Sequence, residues 1–356
     1  MLRMTTLIIW IRSVWRDTST WSFASAAKAR DPLTRVCQTL VLCVALSIPV
    51  ASCSRTDSSS PTRPPSSPLQ EIELAGAPEL IAAGDIAVCD TNGDETTAHI
   101  VDSVLTAAAA DNEQGVVATL GDNAYPSGAS GVDNDFPRCF SPSWGSARIM
   151  NVIHPAPGNH DYDSGSADPY FAYFGNRAGP WGHGYYSYDV GGWHLISLNS
   201  ELYFGPGADP GAASAQENWL RQDLADHRVA CTLAYFHRPL FSSGTYGATS
   251  EMRALWQILY DGGADLVLNG HEHHYERFLP QTPAGVADPA KGIEEIITGT
   301  GGAELRGVRK PLAANSVTQI HGHFGVLKLM LGSGEYSHAF VDTDGRVWDP
   351  AGGKCH

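Results

Sequence analysis

The chain has 356 residues, room for two small domains or one large α/β domain. A hydrophobic content of 43% supports a sizeable core, and 37 glycines with 22 prolines indicate many turns. A formal charge of −15 argues against a nucleic-acid partner and against adhesion to anionic lipid, because both need clustered Lys and Arg. No apolar run reaches the roughly 18–20 residues that span a bilayer.

The first fifty residues depart from this acidic average: Lys28, Arg30 and Arg35 precede a 14-residue apolar stretch from Cys37 to Val50. A basic stretch followed by an apolar run of that length has the form of an export signal. Val50-Ala51-Ser52-Cys53 then resembles the lipobox of bacterial lipoproteins, in which the Cys is lipidated and becomes the new N-terminus. The alternative is ordinary secretory cleavage after Ala51 or Ser52. Residues 54–70, rich in Ser and Pro, form the expected tether. The expected organisation is therefore a signal region over 1–52, a tether over 53–70 and one folded domain over 71–356. It places the protein outside the cell, lipid-anchored through Cys53 at the outer face of a bacterial membrane or else secreted.

Four cysteines remain in the folded part: Cys89, Cys139, Cys231 and Cys355. In an exported domain an even number suggests disulfides, with three possible pairings. Cys89 and Cys139 each follow a candidate site loop, so their pairing would tie the two loops together and leave Cys231 with Cys355.

Along the folded part, strand-length apolar runs occur at 80–83, 116–120, 194–198, 231–236, 265–268 and 294–298. Ile100, Val101, Val104, Leu105 and Ala108 have helical spacing between the first two, which makes a βαβ unit. Helical patterns also cover 215–227 and 250–261, and alternation in the last forty residues predicts antiparallel strands. Trp181, Trp193 and Trp219 are expected in the core. The architecture is a layered α/β sandwich.

The ends of these runs carry the chemistry. The first leads into Asp85, the second into Asp122, and the segment 154–158 into Asn159-His160-Asp161. The run at 231–236 leads into His237, and that at 265–268 into His271-Glu272-His273. Ligands of open α/β sheets bind beyond the carboxyl ends of the strands. Several of these residues follow a glycine, expected to let the backbone turn sharply. Carboxylate, amide oxygen and imidazole form a ligand set for Zn, Fe or Mn, with too many members for one tetrahedral ion. A carboxylate shared by two ions explains the surplus, and such a pair can generate a hydroxide and clamp a phosphoryl group.

Gly84-Asp85, Gly121-Asp122-Asn123-Ala124-Tyr125, Gly158-Asn159-His160-Asp161, His237 and Gly270-His271-Glu272-His273 resemble, in order, the motif set of calcineurin-like metallophosphoesterases. The spacing from Asp122 to Tyr125 is similar to that of the purple acid phosphatase branch. The resemblance implies a four-layer α/β/β/α fold and a metal-dependent phosphoric ester hydrolase. It puts Asp85, Asp122, Tyr125 and His273 on a first metal and Asp122, Asn159, His237 and His271 on a second, with Asp122 bridging. His160 would contact the substrate phosphate and assist the departing oxygen. Where the family has His or Gly two residues beyond the first Asp, this chain has Ala87, so Tyr125 is the candidate for the fourth ligand. A phenolate ligand favours Fe(III) at the Tyr125 site, while the second site suits Zn, Mn or Fe(II). The fibronectin-like domain that precedes the catalytic domain in large plant purple acid phosphatases has no room here, so the chain reads as a short form.

The expected substrate is a small phosphate monoester, hydrolysed by a metal-bound hydroxide. Alternatives are a phosphodiesterase or nucleotidase using the same site, or a surface binding protein without turnover. Arg238 is weighed as a phosphate contact against a surface ion pair, and His274, Tyr275 and Arg277 as pocket walls. The remaining histidines are expected to be structural or solvated.

Overall fold

The computed structural model describes residues 74–126 and 135–356. The signal region, Cys53 and the tether lie outside the described residues. Within them the chain opens with β1 (Glu79–Ala83), a two-residue strand β2 (Ala87–Val88) and the helix α1 (Gly93–Ala110). It continues through β3 (Gly115–Leu120), a second two-residue strand β4 (Ala124–Tyr125), α2 (Ala147–Met150), β5 (Ile153–Ala156) and α3 (Asp168–Phe174). The hairpin of β6 (Tyr186–Val190) and β7 (Trp193–Ser197) precedes α4 (Pro210–Asp226), β8 (Cys231–Tyr235), α5 (Arg253–Gly262) and β9 (Leu266–Asn269). The last strands are β10 (Tyr275–Phe278), β11 (Glu294–Thr298), β12 (Ser316–Ile320), β13 (Gly325–Gly332), β14 (Glu335–Asp342) and β15 (Val347–Lys354).

Two large sheets result. One runs in the order β15-β14-β13-β1-β3-β5, the other β12-β10-β11-β9-β8-β7-β6. Leu80, Ala82 and Leu120 of the first sheet share a buried cluster with Leu233, Leu266 and Leu268 of the second, so the main core lies between the sheets. Val101 and Leu105 of α1 cover Ile81 and Val117 on the outer face of the first sheet. Leu220 of α4 and Trp256 of α5 cover Ala234 and Val267 on the outer face of the second. The inner strands, such as β1, β3, β8 and β9, bury residues on both faces, which their nearly continuous apolar runs require. These four layers are the expected α/β/β/α sandwich.

Pattern and structure differ at the edges. The fourth helix begins at Pro210, earlier than periodicity indicates, because the Asp209 side chain accepts hydrogen bonds from the Gly211 and Ala212 N–H groups and Pro210 fits the first turn. Trp193 is buried, but Trp181 is 61% exposed and rests on Phe171 from outside, correcting its expected core placement.

Strand direction positions the site. β1, β3 and β5 are mutually parallel, as are β7, β8, β9 and β11. The segments after β1, β3, β5, β8 and β9 therefore emerge where the two sheets meet at one edge. Disulfides join Cys89 to Cys139 and Cys231 to Cys355, with Cα separations of 4.8 and 5.3 Å. This is the expected pairing. The first ties the loop after β2 to the segment after β4, and the second ties the start of β8 to the end of β15.

Candidate metal centre

Asp85, Asp122, Asn159, His237 and His271 come together just beyond the strands that precede them. The sharp turns fall on three of these residues themselves: Asp85, Asp122 and His271 have φ of 59°, 51° and 69°. Left-handed backbone is costly outside glycine and collects at functional sites. Gly121 shares the turn before Asp122 with φ 88°, as expected, whereas at Asp85 and His271 the turn falls on the residue itself, which corrects the expectation that the preceding glycine makes it. Gly158 is needed for another reason: a Cβ there would stand 2.2 Å from the Asp122 backbone nitrogen.

The first set centres on Asp85. Tyr125 donates its hydroxyl to Asp85 Oδ1 at 3.0 Å and to Asp122 Oδ2 at 3.1 Å. His273 Nε2 lies 3.2 Å from Asp85 Oδ1 and 3.5 Å from the Tyr125 hydroxyl. Tyr125 reaches this point because β4 pairs in parallel with β2, Val88 opposite Tyr125 and Ala87 opposite Ala124. Ala87 is wholly buried in that ribbon, so this position supplies packing and no ligand.

The second set centres on His237 Nε2, which lies 3.2 Å from each of Asp122 Oδ2, Asn159 Oδ1 and His271 Nδ1. Asp122 Oδ2 is thus common to both sets. Its other oxygen, Oδ1, accepts the His160 N–H at 2.8 Å, which fixes the carboxylate plane.

Metal ions fit these donors. An ion about 2.1 Å from each donor sets neighbouring donors about 3.0–3.4 Å apart, depending on coordination number. The spacings above fall in or close to that range. His237 Nδ1 faces the Leu120 carbonyl at 2.9 Å and His273 Nδ1 the Glu304 carbonyl at 2.6 Å. Each imidazole therefore donates through Nδ1 and turns Nε2 inward, the usual support of a ligating histidine. Among the described residues, neither Asp85 nor Asp122 pairs with Lys or Arg.

Burial first, then the carboxylates of Asp122 and Asp85, push the Tyr125 phenol well above its ordinary range. Burial would lower the pKa of His237, but the Asp122 carboxylate overrides it and lifts the imidazole to about 9. Burial likewise works against ionised Asp122, yet His237 and His160 hold its carboxyl below the ordinary range.

His160 stands at the mouth, its side chain 33% exposed, with Nε2 4.0 Å from Asp122 Oδ2. Its Nδ1 meets the Pro126 carbonyl at 2.5 Å and Asp163 Oδ2 at 3.0 Å, leaving Nε2 to face the centre.

Asp161 is a support that the motif offered without a role. Fully buried, it accepts N–H groups from Gly158 at 2.8 Å and from the Asn123 side chain at 2.9 Å, joining two ligand loops. Burial and the neighbouring Asp122 raise its carboxyl to about 7. Arg238 forms an ion pair with Glu201, its Nε 3.0 Å from both carboxylate oxygens, and its Nη1 lies 3.2 Å from His271 Nε2. It is therefore a wall of the site, neither a surface pair nor a free cation.

His274, Tyr275 and Arg277 are not pocket walls. The first two are buried, and Arg277 pairs with Asp349 and Glu294. Glu201, Tyr246 and Arg306 line or back the site without any motif to mark them.

The sequence profile of the calcineurin-like phosphoesterases matches residues 80–275. Acid phosphatase type 7 of Homo sapiens is 28% identical over 287 residues, which cover 67% of this chain and 61% of that protein. Purple acid phosphatase 15 of Arabidopsis thaliana is 37% identical over 113 residues, covering 30% of this chain and 20% of its own length. A purple acid phosphatase from yellow lupin (Lupinus luteus) seeds superposes with a TM-score of 0.62 at 20% identity, over 78% of this chain and 54% of that one. The chain spans less than two thirds of the length of these relatives. With the profile running from β1 into β10 and taking in every strand end that carries a candidate donor, the chain belongs to the calcineurin-like phosphoesterase family.

Proposed function

We propose that this chain hydrolyses phosphate monoesters at a dinuclear metal centre. Fe(III) would occupy the set Asp85, Asp122, Tyr125 and His273, and Zn, Mn or Fe(II) the set Asp122, Asn159, His237 and His271. The reading rests on one observation: Asp122 Oδ2 lies 3.1 Å from the Tyr125 hydroxyl and 3.2 Å from His237 Nε2, so one carboxylate oxygen serves both donor sets. Two bound ions would supply an acidified water as nucleophile and Lewis-acid stabilisation of phosphoryl charge.

The chain's own residues would do the rest. The Asp122 carboxylate, pinned by the His160 N–H, would be held where both ions can share it. His160, oriented through Nδ1, presents Nε2 to the cavity and delivers a proton to the leaving oxygen. Asp163 Oδ2, 3.0 Å from Nδ1, helps to hold the ring in that orientation. Buried Asp161 holds the Asn159 loop against the Asp122 loop.

Export through the segment before Cys53, with lipid attachment there, belongs to the same proposal, as does the domain boundary near residue 71. It rests on the basic and apolar order of residues 28–53. Assay of the purified, metal-loaded protein on a monoester and a diester with one common leaving group tests the reading. Faster turnover of the monoester supports it. Faster turnover of the diester favours a phosphodiesterase, and no turnover of either leaves a binding protein.

A further inference from the structure

We infer that Arg306 is a substrate-binding residue that recognises the doubly charged phosphoryl group of a monoester. The inference rests on the phosphatase reading above and names its selectivity.

Arg306 belongs to the loop after β11, which the backbone fastens to the metal centre. Gly301 N–H donates to the Gly84 carbonyl and Ala303 N–H to the Asp85 carbonyl, both at 2.9 Å. Arg306 N–H donates to the His273 carbonyl at 2.8 Å, and the Glu304 carbonyl faces His273 Nδ1 at 2.6 Å. The loop thus registers its side chains against two proposed ligands of the first metal. A residue on it is placed as firmly as the ligands themselves.

From there Arg306 lines the cavity beside the two donor sets. That space, about 360 Å³, is lined by Arg306 together with Asp122, Asn159, His160, His271 and His273. The Arg306 guanidinium carbon lies 4.9 Å from the centroid of the Tyr246 ring, and Tyr246 stacks on His271 at 4.9 Å. Among the described residues no carboxylate pairs with Arg306. Its Nη1 is buried yet has no hydrogen-bond partner. Arg238, on the same wall, is neutralised by Glu201, so Arg306 holds the unspent positive charge of the cavity.

A buried N–H without an acceptor is costly, and nearly all such groups in folded proteins find one. An anion in the cavity would supply it once the guanidinium swings towards the opening. A monoester dianion has three non-bridging oxygens, whereas a diester has two and carries one charge less. Two metal ions leave the third oxygen of the monoester for the protein, and a guanidinium is suited to it by charge and by its planar fork of donors. On a diester that position carries an ester group, which cannot take up the charge.

The test compares wild type, Arg306→Ala and Arg306→Lys on 4-nitrophenyl phosphate and methyl 4-nitrophenyl phosphate, which share a leaving group. Bound metal is measured by elemental analysis and inorganic phosphate affinity by calorimetry. In Arg306→Ala both metals should remain, and kcat/KM for the monoester should fall about 10- to 100-fold, the usual span for a lost hydrogen bond to a charged group. The diester should change by less than about threefold, phosphate affinity should drop about tenfold or more, and Lys should restore part of each loss. Equal losses on the two esters, unchanged phosphate affinity, or loss of metal would overturn the assignment. If wild type turns over neither ester while phosphate affinity still depends on Arg306, the anion site stands and the phosphatase reading falls.

Discussion

Gly158→Ala isolates the geometry on which the bridging carboxylate depends. A Cβ at position 158 would lie 2.2 Å from the backbone nitrogen of Asp122, 2.3 Å from its Oδ1 and 2.9 Å from His237 Cγ. Ordinary contact begins near 3.4 Å, so the Asp122 loop and the Asn159 loop must part by about 1.2 Å. The nearest of these atoms is backbone, so turning a side chain aside does not relieve the clash. Overpacking of this kind costs about 1–3 kcal/mol in stability. The functional cost should exceed the structural one, since a displacement of about 1 Å at a catalytic constellation lowers rates roughly 100-fold. The same movement pulls Asp161 from the Gly158 N–H and takes the Asp122 oxygen away from one donor set. Purified Gly158→Ala should stay folded, with melting lowered by a few degrees, but should hold less than half the wild-type metal and lose about 100-fold or more in kcat/KM on a monoester. A variant that binds its full metal complement and works at nearly the wild-type rate would refute the reasoning.

Four further outcomes follow from the same structure. His160→Ala should retain both metals and lose about 10²- to 10⁴-fold in kcat, as expected for a positioned acid; metal loss, read by elemental analysis, would make His160 a ligand or a structural support instead. Tyr125→Phe should abolish the visible charge-transfer band that an iron(III)–phenolate gives the iron-loaded protein, and a band unchanged in that variant would exclude the phenolate. Removing the Cys89–Cys139 bridge, which spans 50 residues, should cost up to about 4 kcal/mol, seen as a fall of roughly 10 °C in Tm, and should weaken metal retention at Asp85. His194 is buried between Asp223 and Asp189, 2.9 and 2.8 Å away; burial opposes its charge, but the two carboxylates raise its pKa above the ordinary value. Its stabilisation is therefore fully present below the unfolded pKa of about 6.5 and fades as pH rises through the folded value. His194→Gln should lower Tm more at pH 5.5 than at pH 9.

Much of this site was legible in the sequence because most of the candidate ligands sit just beyond an apolar run. Asp85, Asp122, His237 and His271 could be placed together once the runs before them were read as parallel strands, and the pairing of Cys89 with Cys139 followed from the loops they flank. Ala87 pointed to Tyr125, and the β2–β4 ribbon puts that hydroxyl between the two aspartates. The left-handed turns at Asp85, Asp122 and His271 were not legible, because a preceding glycine suggests the turn but not the residue that makes it. Arg306 escaped notice for a different reason. It lies 33 residues beyond His273 in a loop without hydrophobic periodicity, and hydrogen bonds to Gly84, Asp85 and His273 bring that loop to the centre. Trp181 shows the limit of composition: aromatic size favours burial, yet its loop leaves it on the surface.

The sharing of Asp122 between two ions is the centre of the account, and metal stoichiometry tests it most directly. Protein expressed and purified with iron and zinc present should contain about two ions per chain, one of them iron. Asp122→Ala should lose both, whereas Asn159→Ala should lose the second ion and keep iron at the Tyr125 site. A wild-type chain that holds a single ion, or an Asp122→Ala variant that still binds two, would contradict it.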